Sequence, residues 1–518
     1  MKNTAQLKLG SLLSYAQMFI GVLISILYTP IMLKLLGQSE YGLYNTVSST
    51  ISILSLLSLG FNSGYIRYYA KYKNKNDTDS IWKLNGLFLI IFSVIGTVAL
   101  VCGTFLSFHL DIIFSEGLTA AEYKIAKVLM LLLTCNLAVS FPASVFSHII
   151  SANEKYVLLK IVSIIKTVIS PLVTLPLLLM GFRSIAMVSV TLALSVISDS
   201  IYMYYVFKKL KYRFVFHGFE KGVFRSLFVY TFFIAVNLIV DQINWNVGKI
   251  LLGRYKGTEA VAVYSVGYML YQYYMMFSTS ISSVFTPRIH KIVNETQNDM
   301  QTQRKSLTDL FVKVGRIQFI LLSMLASGIV FFGKEFITKY WAGAEYSASY
   351  YVAVLLVLPA SIALIQNIGI EIQRAKNKHR FRALVYTLMA VFNVVISVAL
   401  CQKYGAVGSA VGTAISLILA NGIAMNIYYH KACNIDIIRF WKNIARVSLG
   451  LVLPIVWGIV LHACFEIQNI WGYMLSIVSY VCISGLSMWF IGMNKEEKDL
   501  ICKPLKKVAK RFNGKHNE

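Results

Sequence analysis

The residues able to do chemistry in this chain are polar groups set inside long apolar runs. Between Ser226 and Leu252, Asn237, Asp241, Asn244, Trp245 and Gly248 fall within about 100° of arc if the run is helical, with Gln242 and Lys249 on the adjoining flank. Amides and a carboxylate hydrogen-bond hydroxyl-rich ligands, and an ammonium attracts phosphate; polar glue between neighbouring helices is the other reading. Lys166 and Asp199 form a second set. Each stands about 16 or 17 residues from a connection near Gly181 and Phe182, so an antiparallel hairpin brings both to one depth. There they serve either as a salt bridge locking two helices or as a working pair, and Pro171 and Pro176 beside Lys166 favour a bending element.

Two stripes at helical spacing follow the same logic: Tyr44, Ser48, Ser55, Ser58 and Asn62 in one run, and Tyr264, Tyr268, Tyr271, Ser278 and Ser282 in another. Tyrosine offers a flat apolar face for a ring and a hydroxyl for a hydrogen bond. Arg67 and Arg288 end these runs at equivalent places, as receptors for a phosphate head group or as plain topology signal. Other chemistry is excluded or weak. Gly328 to Lys334 mimics the start of a phosphate loop, but Glu335 replaces the Ser or Thr that would bind magnesium. His148 and Glu371 read as solvent-facing caps. The seven cysteines form no CxxC pair and read as small buried side chains, not as a disulfide framework or zinc site. No metal or cofactor is expected beyond coupling to a proton or sodium gradient.

The elements that must position these groups are membrane helices. Of 518 residues, 57% are hydrophobic and only 14% charged, which rules out an ordinary soluble enzyme. Runs of about 20 apolar residues recur along the chain, and fourteen spans fit, from Ser11–Leu33 to Trp471–Gly492. With the N-terminus placed inside, inner segments hold 35 Lys and Arg and outer segments 10, so both termini are expected in the cytoplasm. The net charge of +26 is then an orientation signal helped by anionic membrane lipid, with nucleic acid not expected as a partner.

Repeats divide the chain. Leu35-Leu36-Gly37, Tyr44 and Arg67 recur as Leu251-Leu252-Gly253, Tyr264 and Arg288, and Gly181 with Tyr204-Tyr205 recurs as Gly405 with Tyr428-Tyr429. The expected fold is an all-α polytopic membrane protein: two six-helix lobes around a central cavity, plus two extra C-terminal helices. Its parts are an N-terminal lobe (1–210), a basic cytoplasmic linker (211–225), a C-terminal lobe (226–430), spans thirteen and fourteen (431–492) and a basic cytoplasmic tail (493–518).

Pro30, Leu36-Gly37 and Tyr41-Gly42-Leu43-Tyr44 resemble the N-terminal signature of bacterial polysaccharide-biosynthesis flippases, and Gly405-Ala406-Val407-Gly408-Ser409-Ala410 is similar to a second signature of that family. The family shares a superfamily with multidrug exporters and lipid II flippases. The resemblance implies alternating-access movement of a lipid-linked oligosaccharide, of the undecaprenyl-pyrophosphate type, from the cytoplasmic to the outer leaflet of the bacterial plasma membrane. It implies service to capsule, O-antigen or exopolysaccharide synthesis, and other polysaccharide-assembly proteins as partners. A drug exporter or lipid II flippase is the alternative within the superfamily, and a polysaccharide polymerase or acyltransferase the enzyme alternative.

Overall fold

A computed structural model describes residues 2–58, 60–114, 118–218, 242–376, 380–464 and 469–500, with single positions in the intervals (222, 226, 227, 231, 235, 238–240, 378 and 502). The regular structure among these residues is all helical, with no strand. The first half comprises α1 (Lys2–Leu36), α2 (Gln38–Leu54), α3 (Phe61–Asn74), α4 (Thr78–Phe108), α5 (Ala120–Ala152), α6 (Tyr156–Leu179) and α7 (Arg183–Tyr204). The second comprises α8 (Gly248–Glu295), α9 (Met300–Glu335), α10 (Ser347–Ile365), α11 (Ile368–Ala375), α12 (Arg380–Leu417) and α13 (Met425–Lys431). It is followed by α14 (Ile437–Ser448), α15 (Val452–Cys464) and α16 (Ile470–Ser487).

Eleven helices among the described residues are long and apolar enough to cross a membrane. One of them, Arg380–Lys431, turns at Gly405 and holds two crossings, which gives twelve of the fourteen expected spans, while α8, at the place of span eight, is not among them. Span seven lies mostly outside the described residues. Local chemistry sets the helix ends. Asp77 caps α4 by accepting from Ser80 N at 3.0 Å, and Thr119 with Glu122 closes a reciprocal capping box on α5.

The turns test the repeat. Gly181 (φ 89°) and Gly405 (φ 57°) both take the left-handed backbone that glycine tolerates, each 23 residues before its tyrosine pair, as the repeat requires. The other pairing needs correction. Gly37 turns with φ 79° and ψ 167°, whereas Gly253 is helical and it is Gly257 (φ 78°, ψ −177°) that repeats the turn. Gly37 precedes Tyr44 by seven residues and Gly257 precedes Tyr264 by seven, so the tyrosines matched correctly and the glycine did not. Span two is also no single helix: α2 tightens into a 3₁₀ turn at Ser55–Ser58, and Gly60 (φ 70°) starts α3.

The structure forms two compact units. Unit 1 contains Met1–Val266, Trp341–Val352 and Tyr386–Thr413, and unit 2 contains Gly267–Tyr340, Ala353–Val385 and Ala414–Glu518. Unit 1 therefore combines the first half with one end of several second-half helices. Its core includes an aromatic cluster of Tyr65, Tyr69, Phe88, Phe92 and Phe141. Into this cluster the segment 211–218 is tied: Tyr212 and Tyr69 share a hydrogen bond of 2.6 Å, and Asn85 donates to Arg213 O at 3.2 Å. His148 is no solvent-facing cap. Its ring lies 6.3 Å from those of Tyr65 and Phe92, and Nε2 meets Asn62 Oδ1 at 2.7 Å. The cysteines too depart from expectation, since Cys102, Cys135 and Cys482 are exposed while Cys401 and Cys433 are buried. On a membrane helix exposure means lipid contact, which suits a small weakly polar thiol.

Candidate functional site

Span seven carries the polar face expected to meet substrate. Asn237 and Asp241 lie outside the described residues, as does the side chain of Asn244. The backbone of Asn244 belongs to a π-helical turn over Ile243–Val247. A π turn bonds i to i+5 and inserts a residue relative to the α-helix, so the period of 3.6 residues per turn used for the arc does not hold over Ile243–Val247. Within the turn Asn246 donates to Gln242, and half-buried Lys249 follows at the start of α8. π turns concentrate at functional sites because they free backbone carbonyls and re-aim side chains.

Lys166 and Asp199 stand on α6 and α7 at one depth, as the hairpin requires, and lie close enough to act on each other electrostatically. They form no salt bridge. The Lys166 ammonium instead donates to Ser195 Oγ at 2.8 Å, and the Ser195 hydroxyl in turn donates a hydrogen bond to Thr191 O at 2.8 Å. Asp199 is half-buried one turn beyond Ser195. Nearby, Gln17 donates to Ser163 at 2.7 Å and accepts from Lys160 at 3.5 Å, so α1 joins a polar strip along α6. A locked ion pair is thus not what unites these helices.

In unit 2, Tyr268 and Tyr271 are buried, with ring centroids 5.7 Å apart, and the Tyr271 hydroxyl donates to Met275 Sδ at 3.6 Å. Their rings are tilted by 34° to each other and both side chains are packed inside unit 2. Arg67 and Arg288 are exposed, but neither ends its helix: Arg67 stands midway along α3 and Arg288 about two turns before the end of α8. Arg288 lines a cavity of about 1090 Å³ in unit 2 with Lys291, Lys313 and Arg316.

Sequence reasoning missed a seam within unit 1, at the end of the bundle reached by α1 at Gly37. Ser39 donates to Glu122 and lies 3.0 Å from Thr258 Oγ1, which also donates to Glu122 Oε1 at 3.4 Å. One carboxylate thus joins α2, α5 and α8. Its second oxygen accepts from Thr119 N at 2.9 Å in the capping box, which fixes its position. Beside the seam, Glu40 is 6% exposed and accepts from Ser184 N at 2.8 Å, from the Ser184 hydroxyl at 2.5 Å and from Arg183 at 3.2 Å. Gly42 brings the two halves together. A Cβ there would be driven into the carbonyl oxygen of Thr258, so only glycine permits this approach of backbone to backbone. The signal was present in Tyr41-Gly42-Leu43-Tyr44 and in two carboxylates at helix ends, but only the tertiary contact gives it meaning.

The profile described as polysaccharide biosynthesis protein matches residues 8–293. A Shigella flexneri protein named as an O-antigen transporter is 22% identical over 411 residues, covering 77% of this chain and 92% of that protein. Among solved structures, the lipid II flippase MurJ in an inward closed conformation matches with TM-score 0.66 at 15% identity, over 96% of this chain and 99% of its own. An inward-facing multidrug resistance MATE transporter of the MOP superfamily matches with TM-score 0.62 at 12% identity, over 81% of this chain and 99% of its own. The MurJ fold therefore accounts for more of the chain than the MATE fold does. These likenesses set the fold as the multi-pass helical fold of those structures. With more than half of its length matched by the profile, the chain belongs to the polysaccharide biosynthesis protein family.

Proposed function

We propose that this protein flips a lipid-linked oligosaccharide of the undecaprenyl-pyrophosphate type from the cytoplasmic to the outer leaflet of the bacterial plasma membrane. Both termini face the cytoplasm, and the glycan serves capsule, O-antigen or exopolysaccharide synthesis. The family and the O-antigen transporter likeness support the substrate class. Alternating access supplies the mechanism: two repeated halves rock about a polar path, exposing it to one side at a time.

The observation that carries this reading is the seam of Ser39, Glu122 and Thr258. In the orientation given by the basic loops it closes the outer side. It is built from hydroxyls on one carboxylate and a glycine contact, bonds that a moving gate can break and remake. Substrate enters from the cytoplasmic side, its pyrophosphate drawn by Arg67, Arg288 and Lys249, and its sugars meet the amides of span seven. The test is a Ser39→Cys/Thr258→Cys pair in reconstituted vesicles. Oxidation to the disulfide should stop appearance of lipid-linked oligosaccharide on the far leaflet, and reduction should restore it. Undiminished flipping with the disulfide formed would count against the reading.

The driving force in this scheme is a proton or sodium gradient, with Asp241 as the titrating group. Asp241→Asn keeps size and hydrogen bonding, so a normally expressed variant should lose its dependence on an imposed pH gradient. Unchanged rate and unchanged gradient dependence would remove this residue from the coupling.

A further inference from the structure

Helix α14 divides sharply by face. Ile437, Phe440, Ile444 and Val447 are buried, whereas Ile438, Arg439, Lys442 and Arg446 are exposed. Asp436 is occupied as the helix cap, accepting from Arg439 N at 2.9 Å, and the Arg439 side chain pairs with Asp309 at 2.7 Å. Lys442 and Arg446, one turn apart, have no carboxylate partner among the described residues. They border an open cavity of about 470 Å³ lined also by Asp436, Ile438, Arg439 and Asn443. Beyond Arg446 the exposed face turns apolar at Leu449, Leu453 and Val456, which are 57%, 53% and 52% exposed. Lys442 and Arg446 lie one turn apart on α14, Leu449 opens a 3₁₀ turn over Leu449–Leu451, and Leu453 and Val456 lie on α15, so the exposed positions pass from charged to apolar along the chain.

The geometry points to a binding site for one anionic phospholipid, with its phosphate between Lys442 and Arg446 and an acyl chain along Leu449, Leu453 and Val456. Two cations without an ion-pair partner among the described residues complement a phosphate, Asp436 at the same cavity being held as the helix cap, and the cavity gives the head group room. The stripe continues into the hydrocarbon where a chain must go, whereas a soluble phosphate would leave it unused. The site rests on the proposed orientation only for the leaflet it faces. It would hold a structural lipid beside the appended pair of spans.

The test uses the full chain, stripped of lipid and returned to nanodiscs of phosphatidylcholine doped with phosphatidylglycerol, with retained phosphatidylglycerol measured after repurification. Lys442→Gln/Arg446→Gln leaves the buried face intact and should weaken retention roughly thirty-fold, about five-fold per cation. Arg304→Gln/Lys305→Gln removes the same charge from another exposed segment and should leave retention unchanged. Equal loss in both pairs, or loss in neither, overturns the site. Leu449→Ser/Leu453→Ser should also reduce retention. If it does not, and inorganic pyrophosphate displaces the bound lipid completely, the ligand is a phosphate alone and the lipid assignment is wrong. No substrate is present, so failure here is separable from failure of the flippase reading.

Discussion

The seam of unit 1 and the clasp of unit 2 solve opposite problems with the same residue type. At the seam, Glu122 gathers Ser39, Thr258 and the Thr119 backbone, all neutral donors near the surface. In unit 2, Glu497 meets Arg316 as a fork, Nε to Oε1 at 2.6 Å and Nη2 to Oε2 at 2.9 Å, with side chains only 4% and 6% exposed. Nη2 also donates to Gly492 O at 3.0 Å, and Glu497 Oε2 accepts from Asn494 N at 2.8 Å, so the buried charges are saturated. Hydroxyl bonds contribute about 0.5 to 1.5 kcal/mol each and exchange readily with water. Breaking a buried ion pair leaves an uncompensated charge at a cost of about 3 to 5 kcal/mol. A contact that must open in every cycle belongs to the first kind, and one that anchors the segment after the last span to α9 belongs to the second.

The largest effect should come from the clasp. Glu497→Ala strands the Arg316 guanidinium and should destabilise unit 2 by about 3 to 5 kcal/mol, read as a lowered unfolding midpoint in detergent. Arg316→Met/Glu497→Leu removes both charges and should recover most of that loss. If the double variant is no more stable than the single one, packing and not charge holds this joint. The corresponding Glu122→Gln keeps hydrogen-bonding capacity in an accessible place and should barely move the midpoint.

Next in size is Gly42→Val. Its side chain meets the Thr258 carbonyl and must push the seam apart. Flipping should fall by about tenfold or more, with stability reduced only modestly, as expected for a site where function and not folding needs the approach. Gly328→Ala, where a Cβ meets open space, is the control and should behave as wild type. Equal losses in both would mean that glycine content matters generally and the seam does not.

How much of this was legible follows from the range of each interaction. Span rhythm and the turns at Gly181 and Gly405 are local, written in apolar length and in glycine at left-handed positions. Gly37 was paired with Gly253 because both follow a leucine pair, yet backbone conformation selects Gly257, and a two-letter match carries no dihedral angle. The π turn at Ile243–Val247 was invisible for a similar reason, since a helical wheel presumes the period it is used to find. The clasp joins residues 181 positions apart. Arg316 lies inside the apolar run from Phe311 to Gly333 and Glu497 in the basic tail, and neither position points to the other.

A smaller effect separates Glu122 from its neighbours. Ser39→Ala removes one donor and should weaken the seam by about 1 kcal/mol, raising the open fraction about five-fold. Labelling of a cysteine at Thr258 measures this directly. Faster labelling with unchanged stability fits a gate, whereas unchanged labelling would reduce the hydroxyl to a bystander.

The smallest effect lies on the helix that carries Arg316. Asp299 caps α9, accepting from Gln301 N at 3.1 Å and Thr302 N at 3.0 Å. Hydrogen bonding from the Thr302 side chain, then from the Thr302 and Gln301 backbones, holds its pKa below the ordinary 3.8. A carboxylate lowered on folding stabilises fully above 3.8 and loses that contribution as pH falls through the lower folded value. Acid should therefore fray the first turn of α9, seen as faster amide exchange at Gln301 and Thr302, while the clasp nearly halfway along the helix stays closed. Asn caps about as well as Asp but does not titrate, so Asp299→Asn should flatten this acid response without changing exchange at neutral pH. If the Asn variant frays in acid as wild type does, the response arises elsewhere, and the contrast between an exposed, replaceable carboxylate and a buried, committed one loses its simplest instance.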